Sequence, residues 1–354
     1  MNELQTRIEK VSNIKEASTV FAEAGEIIRS GGLVAFPTET VYGLGANGLD
    51  ADACAKIYEA KGRPSDNPLI LHVADYAMVK QAAAEITPMA ERVLAAFAPG
   101  PVTVILPKRD VVPPSVTGGL STVGIRMPDN DIARALIRAA GVPIAAPSAN
   151  RSGRPSPTTA AAVFADMDGK IPLILDGGPC RFGVESTIVD CTGDRAAILR
   201  PGAITREMLA EVLGELAPPP VVGEKDAPLA PGMKYTHYAP IAPLTLIGAS
   251  REKSGEAFRV AIREAAGKGM YPGVIVSREA AETLSSLVPP EHIAVYGNAG
   301  DLSAMAAHLY ECLRSFDDKH VDVLFAGTVP EEGLGVAIMN RLKKAAGGRM
   351  RFID

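Results

Sequence analysis

Seven short apolar runs recur through the first 190 residues: LVAF (33–36), LILHV (69–73), VTVIL (102–106), VGIR (123–126), PIAA (143–146), LILD (173–176) and TIVD (187–190). Each is four or five residues long, which suits a strand buried on both faces and is too short for a core helix. An amphipathic segment at 16–30 precedes the first, and helical segments at 51–61, 88–97, 131–140 and 158–166 lie between several of the others. This spacing predicts a twisted α/β sheet. Some connections are too short for a helical crossover, so the sheet is expected to be mixed rather than purely parallel.

A change of texture follows REMLAEVLGEL (206–216). The stretch APPPVVGEKDAPLAPGMKYTHYAP (217–240) is rich in Pro and Gly and reads as a linker, yet it clusters Lys234, Tyr235, His237 and Tyr238. Beyond it LTLI, GVIVS, HIAVY and VDVLFAG alternate with helical segments near 251–266, 278–286, 300–316 and 333–346. Four strand-then-helix units predict a second, smaller doubly wound domain, without the Gly-x-Gly-x-x-Gly turn of a dinucleotide site. With 354 residues, two domains are expected: 1–217 and 241–354, joined by 218–240.

Polar residues interrupt these strands where open α/β sheets bind ligands, at strand ends. In GGLVAFPTETVYGLGAN (31–47) the run stops at Pro37, which cannot donate to a ladder, and Thr38-Glu39-Thr40 follow. They read either as an ordinary helix cap or as one wall of a pocket. In KGRPSDNPLILHV (61–73) Lys61 and Arg63 can face one oligophosphate or serve as the basic end of a helix. His72 lies inside an apolar strand. Arg126 needs an anionic partner, either a structural aspartate or a substrate carboxylate, and taken alone it favours the structural one. PIAAPSANRSGRPSPT (143–158) brings Ser148, Asn150, Ser152, Ser156, Arg151 and Arg154 to the end of a strand of small residues, as either a phosphate-receiving loop or a plain surface loop. Ser186, Thr187 and Arg200 border two further short strands.

Thirty-six Lys and Arg against 41 Asp and Glu give a formal charge of −5, which argues against a protein whose main task is holding nucleic acid by its phosphates. Cys54, Cys180, Cys191 and Cys312 form no Cys-x-x-Cys pair and are expected to be reduced and structural. The five histidines lack metal-binding spacing, so no protein-held metal is assigned. Nothing resembles a signal peptide, transit sequence or membrane span, and a cytoplasmic location is the default expectation.

In order and wording, FPTETVYGLG, KGRPSDNPLILHV, PGPVTVIL, VGIRMPDN, PSANRSGRPSPT, ESTIVD, ILRPGAIT and PGMKYTHYAP resemble the YrdC-like threonylcarbamoyl-AMP synthase family in its long two-domain form. The resemblance covers nearly the whole chain. It implies a YrdC-like N-terminal domain, a Rossmann-like C-terminal one, and the conversion of L-threonine, bicarbonate or CO2, and ATP to L-threonylcarbamoyl-AMP and pyrophosphate. It also implies Mg²⁺ with the ATP and downstream tRNA threonylcarbamoyl-transfer proteins as partners; a weak tRNA contact is compatible with that catalysis, and no membrane is expected as a partner. The family's Lys-x-Arg and Ser-x-Asn pairs fall on Lys61, Arg63, Ser148 and Asn150, taken as catalytic. Thr40, His72, Arg126, Ala146 and Ser186 correspond to L-threonine-binding positions. Arg63, Asn67, Thr122, Ser148, Ser156, Arg200 and Tyr238 correspond to ATP-binding ones. Thr236 departs from the basic residue expected there. The linker segment KYTHYAP is expected to act as a lid that excludes water.

Two other functions compete. A carbamoyl-adenylate-forming carbamoyltransferase module shares this domain type, but such chains carry an acylphosphatase-like module and Cys-x-x-Cys zinc pairs that this chain lacks. A non-enzymatic RNA-binding module could use Lys61, Arg63, Arg126, Arg151, Arg154 and Arg200, but the clusters lack interleaved aromatics for base stacking.

Overall fold

The computed structural model describes residues 4–220, 228–233, 237–249 and 253–353. Two compact units divide the chain, one of residues 1–152 and 156–235, the other of 153–155 and 236–354.

All seven expected runs of the first unit are strands. They are β2 (Val34–Phe36), β4 (Ile70–His72), β5 (Val102–Pro107), β6 (Thr122–Arg126), β7 (Ile144–Ala145), β8 (Leu173–Asp176) and β9 (Thr187–Asp190), with β10 at Ala197–Arg200. Two strands carry no apolar run: β1 (Arg7–Lys10) at the sheet edge, and β3 (Gly43–Asn47), whose glycines hide it. Together they form a sheet of ten strands among the described residues, in the order β1-β8-β2-β3-β7-β4-β6-β5-β9-β10. It is mixed, as the short connections required. β2 returns antiparallel as β3 through the Pro37–Tyr42 connection, while β4 and β6 run parallel.

One face of this sheet is sealed by a large core. Leu44, Leu71, Val104, Ile125 and Val189 pack there with residues of helices Ala51–Lys61, Pro88–Phe97, Ala160–Met167 and Arg206–Leu213. The other face is covered by helices only at one end, where Phe21, Ala24 and Ile28 of Ser18–Arg29 and Leu136 and Ile137 of Asp131–Ala140 meet Val34, Phe36, Ile144 and Leu173. The two helices approach closely because Gly25 has no side chain: a Cβ there would lie 2.7 Å from the Ala139 carbonyl carbon. Toward β10 this face carries instead an apolar patch of Ile70, Ile105, Ile188 and Leu199, covered by Ala230 and Met233. The expected linker of 218–240 is therefore divided. Residues 228–233 pack on the first unit, Lys234, Tyr235 and Thr236 lie outside the described residues, and His237 and Tyr238 belong to the second unit.

The second unit holds β11 (Leu244–Gly248), β12 (Pro272–Val276), β13 (Ile293–Val295), β14 (Val323–Gly327) and β15 (Met350–Phe352), all parallel, in the order β13-β12-β14-β11-β15. Helices Ser254–Gly267, Arg278–Leu284, Leu302–Arg314 and Leu334–Ala345 follow four of the strands in turn, as expected of a doubly wound domain. Its Tyr238 adopts a left-handed backbone at φ 66° and stacks on Tyr310 at 5.2 Å between ring centroids.

Candidate active site

Sheet register sets a row of chemical side chains. His72 of β4 lies opposite Arg126 of β6, Thr103 of β5 opposite Ile188 of β9, and Ile188 opposite Arg200 of β10. Side chains two residues apart on a strand share a face. His72, Arg126 and Thr103 therefore point to the same side as Ile70, Gly124 and Ile105, and a Cβ on Gly124 would meet all three of Thr103, Ile105 and Ile70 within 3.5 Å. This is the face that helices leave open.

Arg126 is buried, and its Nη2 lies 2.7 Å from Glu39 Oε1. The partner that a buried arginine requires is thus a glutamate of the turn after Pro37, rather than an aspartate. Thr38 and Thr40 share a hydroxyl hydrogen bond of 2.9 Å in the same turn, and the Thr38 hydroxyl, 3.5 Å from Arg126 Nη2, donates to the Val41 carbonyl at 2.8 Å. The polar interruption of the first strand is a buried turn between β2 and β3 that caps no helix and carries the partner of Arg126.

His72 is buried with Nδ1 3.2 Å from the Ile70 carbonyl and its ring edge-on to Phe36. Burial holds its pKa down to about 3, and the charges of Arg126 and then Arg200 push the same way, so the ring is neutral at physiological pH. Burial likewise pushes the Cys180 thiol up to about 12. All four cysteines are free and buried.

Ser186 is fully buried and shares a 2.8 Å hydroxyl hydrogen bond with Thr103. Arg200 donates through Nε to the Ser186 carbonyl and through Nη2 to its hydroxyl, both at 3.1 Å, and through Nη1 to the Pro231 carbonyl at 3.4 Å. Segment 228–233 is held over the sheet by this polar contact as well as by its apolar one.

Lys61 ends its helix before Gly62, whose φ of 61° is a left-handed cap. Its ammonium is buried and donates at 2.5 Å to the carbonyls of both Ser148 and Asn150. The Ser148 hydroxyl donates to Asn150 Oδ1 at 2.6 Å, and Ser148 bridges to Gly43 of β3. The structure thus joins the Lys-x-Arg and Ser-x-Asn pairs through Lys61. Arg63 is half-buried and donates to the carbonyls of Asn67 and Pro68 at 3.3 and 3.0 Å. Asn67 is buried, and Thr122 lines a small cleft with Pro68, Thr117, Gly124, Leu229 and Pro231. Ser156 is buried and donates to Glu185 at 2.6 Å. Ala146 is buried just after β7 and packs close to Gly43, where a Cβ would lie 3.3 Å from its methyl carbon.

His72, Thr122, Arg126 and Arg200 thus share this face, Ser186 is bonded to Thr103 and Arg200 on it, Lys61 ends a helix of the sealed side and joins Ser148 and Asn150, and Tyr238 belongs to the second unit. Thr103, Glu185 and Pro231 were not singled out from the sequence, and Thr38 and Glu39 were noted in the turn after Pro37 without an individual role for either. A threonine within VTVIL and a carboxylate beside the strand-ending Pro37 were the signals available. Among the described residues no three His, Cys, Asp or Glu side chains converge as metal ligands.

A mixed sheet whose one face gathers a buried histidine and two buried arginines beside a lysine-held Ser-x-Asn loop defines the site of an α/β protein, and its relatives give its class. Residues 26–202 match the family model Sua5_yciO_yrdC, described as telomere recombination, and residues 204–347 match the threonylcarbamoyl-AMP synthase C-terminal domain. The threonylcarbamoyl-AMP synthase of Bacillus subtilis is 48% identical over 93% of each chain. That of Pyrococcus abyssi is 46% identical over 92% of this chain and 94% of the other. The crystal structure of P. abyssi Sua5 complexed with L-threonine superposes with a TM-score of 0.91 at 44% identity, covering 99% of this chain and all of that one. The chain belongs to the threonylcarbamoyl-AMP synthase family, in its long two-domain form.

Proposed function

We propose that the enzyme makes L-threonylcarbamoyladenylate and pyrophosphate from L-threonine, bicarbonate or CO2, and ATP, for N6-threonylcarbamoyladenosine modification of tRNA. The observation that carries this reading is the union of Lys61 with the Ser148–Asn150 loop, joined through the Gly43 bridge to the sheet face that holds His72, Arg126 and Arg200. The threonine amine takes up CO2 with loss of a proton. The resulting carbamate oxygen attacks the α-phosphorus of ATP, and pyrophosphate leaves. Two anions must therefore meet in line, and the protein's task is positioning and charge neutralisation.

Arg126 is assigned the threonine carboxylate, with Thr40, Ala146, neutral His72 and Ser186 around the side chain and carbamate. Arg63, Asn67, Thr122, Ser148, Ser156 and Arg200 are assigned the nucleotide, with Lys61 and Asn150 shaping the loop that receives its phosphates. Tyr238 remains a nucleotide-binding candidate from the second unit. Mg²⁺ is proposed to enter on the phosphate oxygens of ATP, where it would neutralise their charge, with no protein ligand assigned to it. The product is proposed to pass to tRNA threonylcarbamoyl-transfer proteins in the cytoplasm. Among the described residues no helix is long and apolar enough to cross a membrane.

The test is pyrophosphate release from ATP and Mg²⁺ with and without bicarbonate and L-threonine, using serine as control. Release requiring both substrates supports the reading. Release that needs carbamoyl phosphate in place of threonine overturns it.

A further inference from the structure

We propose that Glu39 receives the α-ammonium of the amino-acid substrate, so that Glu39 and Arg126 together read a zwitterion. The inference rests on the threonine reading above. Glu39 and Arg126 side chains are 2% and 5% exposed, with Arg126 Nη2 2.7 Å from Glu39 Oε1. Yet the pair is incompletely bonded: Glu39 Oε2 and Arg126 Nε make no hydrogen bond to any described residue, and the Oε1 contact is ionic without an aligned N–H. Buried ion pairs that serve structure alone have their remaining donors and acceptors filled, because an unfilled charged group away from water is expensive.

The surroundings do not supply the missing partners. Thr38 and Thr40 spend their hydroxyls on each other and on the Val41 carbonyl. His72 is held neutral by burial and the Cys180 thiol beside Glu39 has no cationic form, so neither brings a positive charge to the carboxylate. What would complete both residues at once is a ligand bearing an anion and a cation on adjacent atoms. An α-amino acid has that arrangement: its carboxylate meets the open donor of Arg126, and its ammonium, bonded to the same carbon, meets the open oxygen of Glu39. A hydroxy acid or a simple carboxylate fills the arginine and leaves the glutamate bare.

Isothermal titration of the full chain with L-threonine and with (R)-3-hydroxybutanoate, which is threonine without its amine, tests this. The wild-type chain should prefer threonine by about 30-fold, the scale of one buried charge-assisted hydrogen bond. In E39Q the preference should collapse to within about threefold, with thermal unfolding recorded to verify the fold. E39D keeps the charge beside Arg126 but withdraws it by one methylene, so it should lose at least about fivefold of the preference even where E39Q does not fold. Equal weakening of both ligands in E39Q, or an undiminished preference in E39D, would mean that Glu39 only orients Arg126 and would overturn the proposal. Wild-type chain that binds neither ligand and releases no pyrophosphate with threonine would instead overturn the threonine reading itself.

Discussion

The Lys61 ammonium lies 2.5 Å from the main-chain oxygen of Ser148, so the last residue of one helix sets the shape of a loop 87 residues further along the chain. It also reaches the Asn150 carbonyl at the same distance, which leaves that loop two charge-assisted hydrogen bonds to lose. In Lys61→Met the buried carbonyls of the loop lose their shared donor. Pyrophosphate release should fall by at least about 100-fold, and thermal stability should drop as well, since unpaired buried carbonyls cost roughly 1–3 kcal/mol each. Lys61→Arg should not restore activity, because a planar fork cannot replace a point donor in a buried site. Steady-state kinetics and a melting curve on each variant check both statements.

Arg200 spreads three donors over Ser186 and Pro231. Arg200→Lys keeps the charge and cannot make the three contacts together. The KM for ATP is expected to rise by about tenfold or more, with the fold intact by circular dichroism. An unchanged KM would separate Arg200 from nucleotide binding.

Ala230 is fully buried over Ile70, Ile105, Ile188 and Leu199. A carboxylate cannot be buried there without a partner. Ala230→Asp should drive segment 228–233 off the sheet, which limited proteolysis would report as new cleavage in that segment. If the segment shields the site, pyrophosphate release should fall by about tenfold while the first unit still unfolds cooperatively.

Gly202 has no room for a side chain. A Cβ there would lie 2.4 Å from the Thr187 amide nitrogen and 2.7 Å from the Glu185 carbonyl oxygen, both backbone atoms that cannot rotate away. Gly202→Ala must displace the chain beside Ser186. A destabilisation of about 2 kcal/mol or more is expected by denaturant titration, in the range of overpacked sites.

His72 makes a prediction in pH. Its folded pKa is lowered to about 3, below the 6.5 of an exposed imidazole. Between those values the unfolded chain holds a proton that the folded chain refuses, so stability rises with pH. The penalty is absent above about pH 7 and grows as pH falls, reaching on the order of 4 kcal/mol near pH 3. NMR of the histidine rings should show one imidazole that does not titrate between pH 8 and 5. In His72→Gln the acid-side loss of stability should be shallower by one proton's worth of slope.

Where apolar side chains were contiguous, local structure was legible. Leu71 and Ile125 pack on one face of the first sheet and Ile70 and Ile105 on the other, so each strand needed hydrophobic residues at nearly every position, and the runs marked themselves. Helix ends were legible for the same kind of local reason: Asp50 caps Ala51–Lys61, Thr87 caps Pro88–Phe97, and Gly62 and Gly141 end their helices in the left-handed region. β1 and β3 escaped notice because one is a polar edge and the other is built on glycine, so neither carries the pattern that burial writes into sequence.

The amino-acid sequence by itself determined most of the strands and helices, the mixed α/β class, the family, and the short segments that hold the site, because propensity, hydrophobic period and turn chemistry act over a few residues. Only the tertiary structure decided which charges meet. That Arg126 takes Glu39, that Lys61 holds Ser148 and Asn150, and that residues 228–233 lie on the sheet rather than hang between domains all depend on sheet order and register, which bring together residues tens to more than a hundred positions apart. A buried charge selects its partner by distance and desolvation in three dimensions, and nothing in the local sequence records that distance.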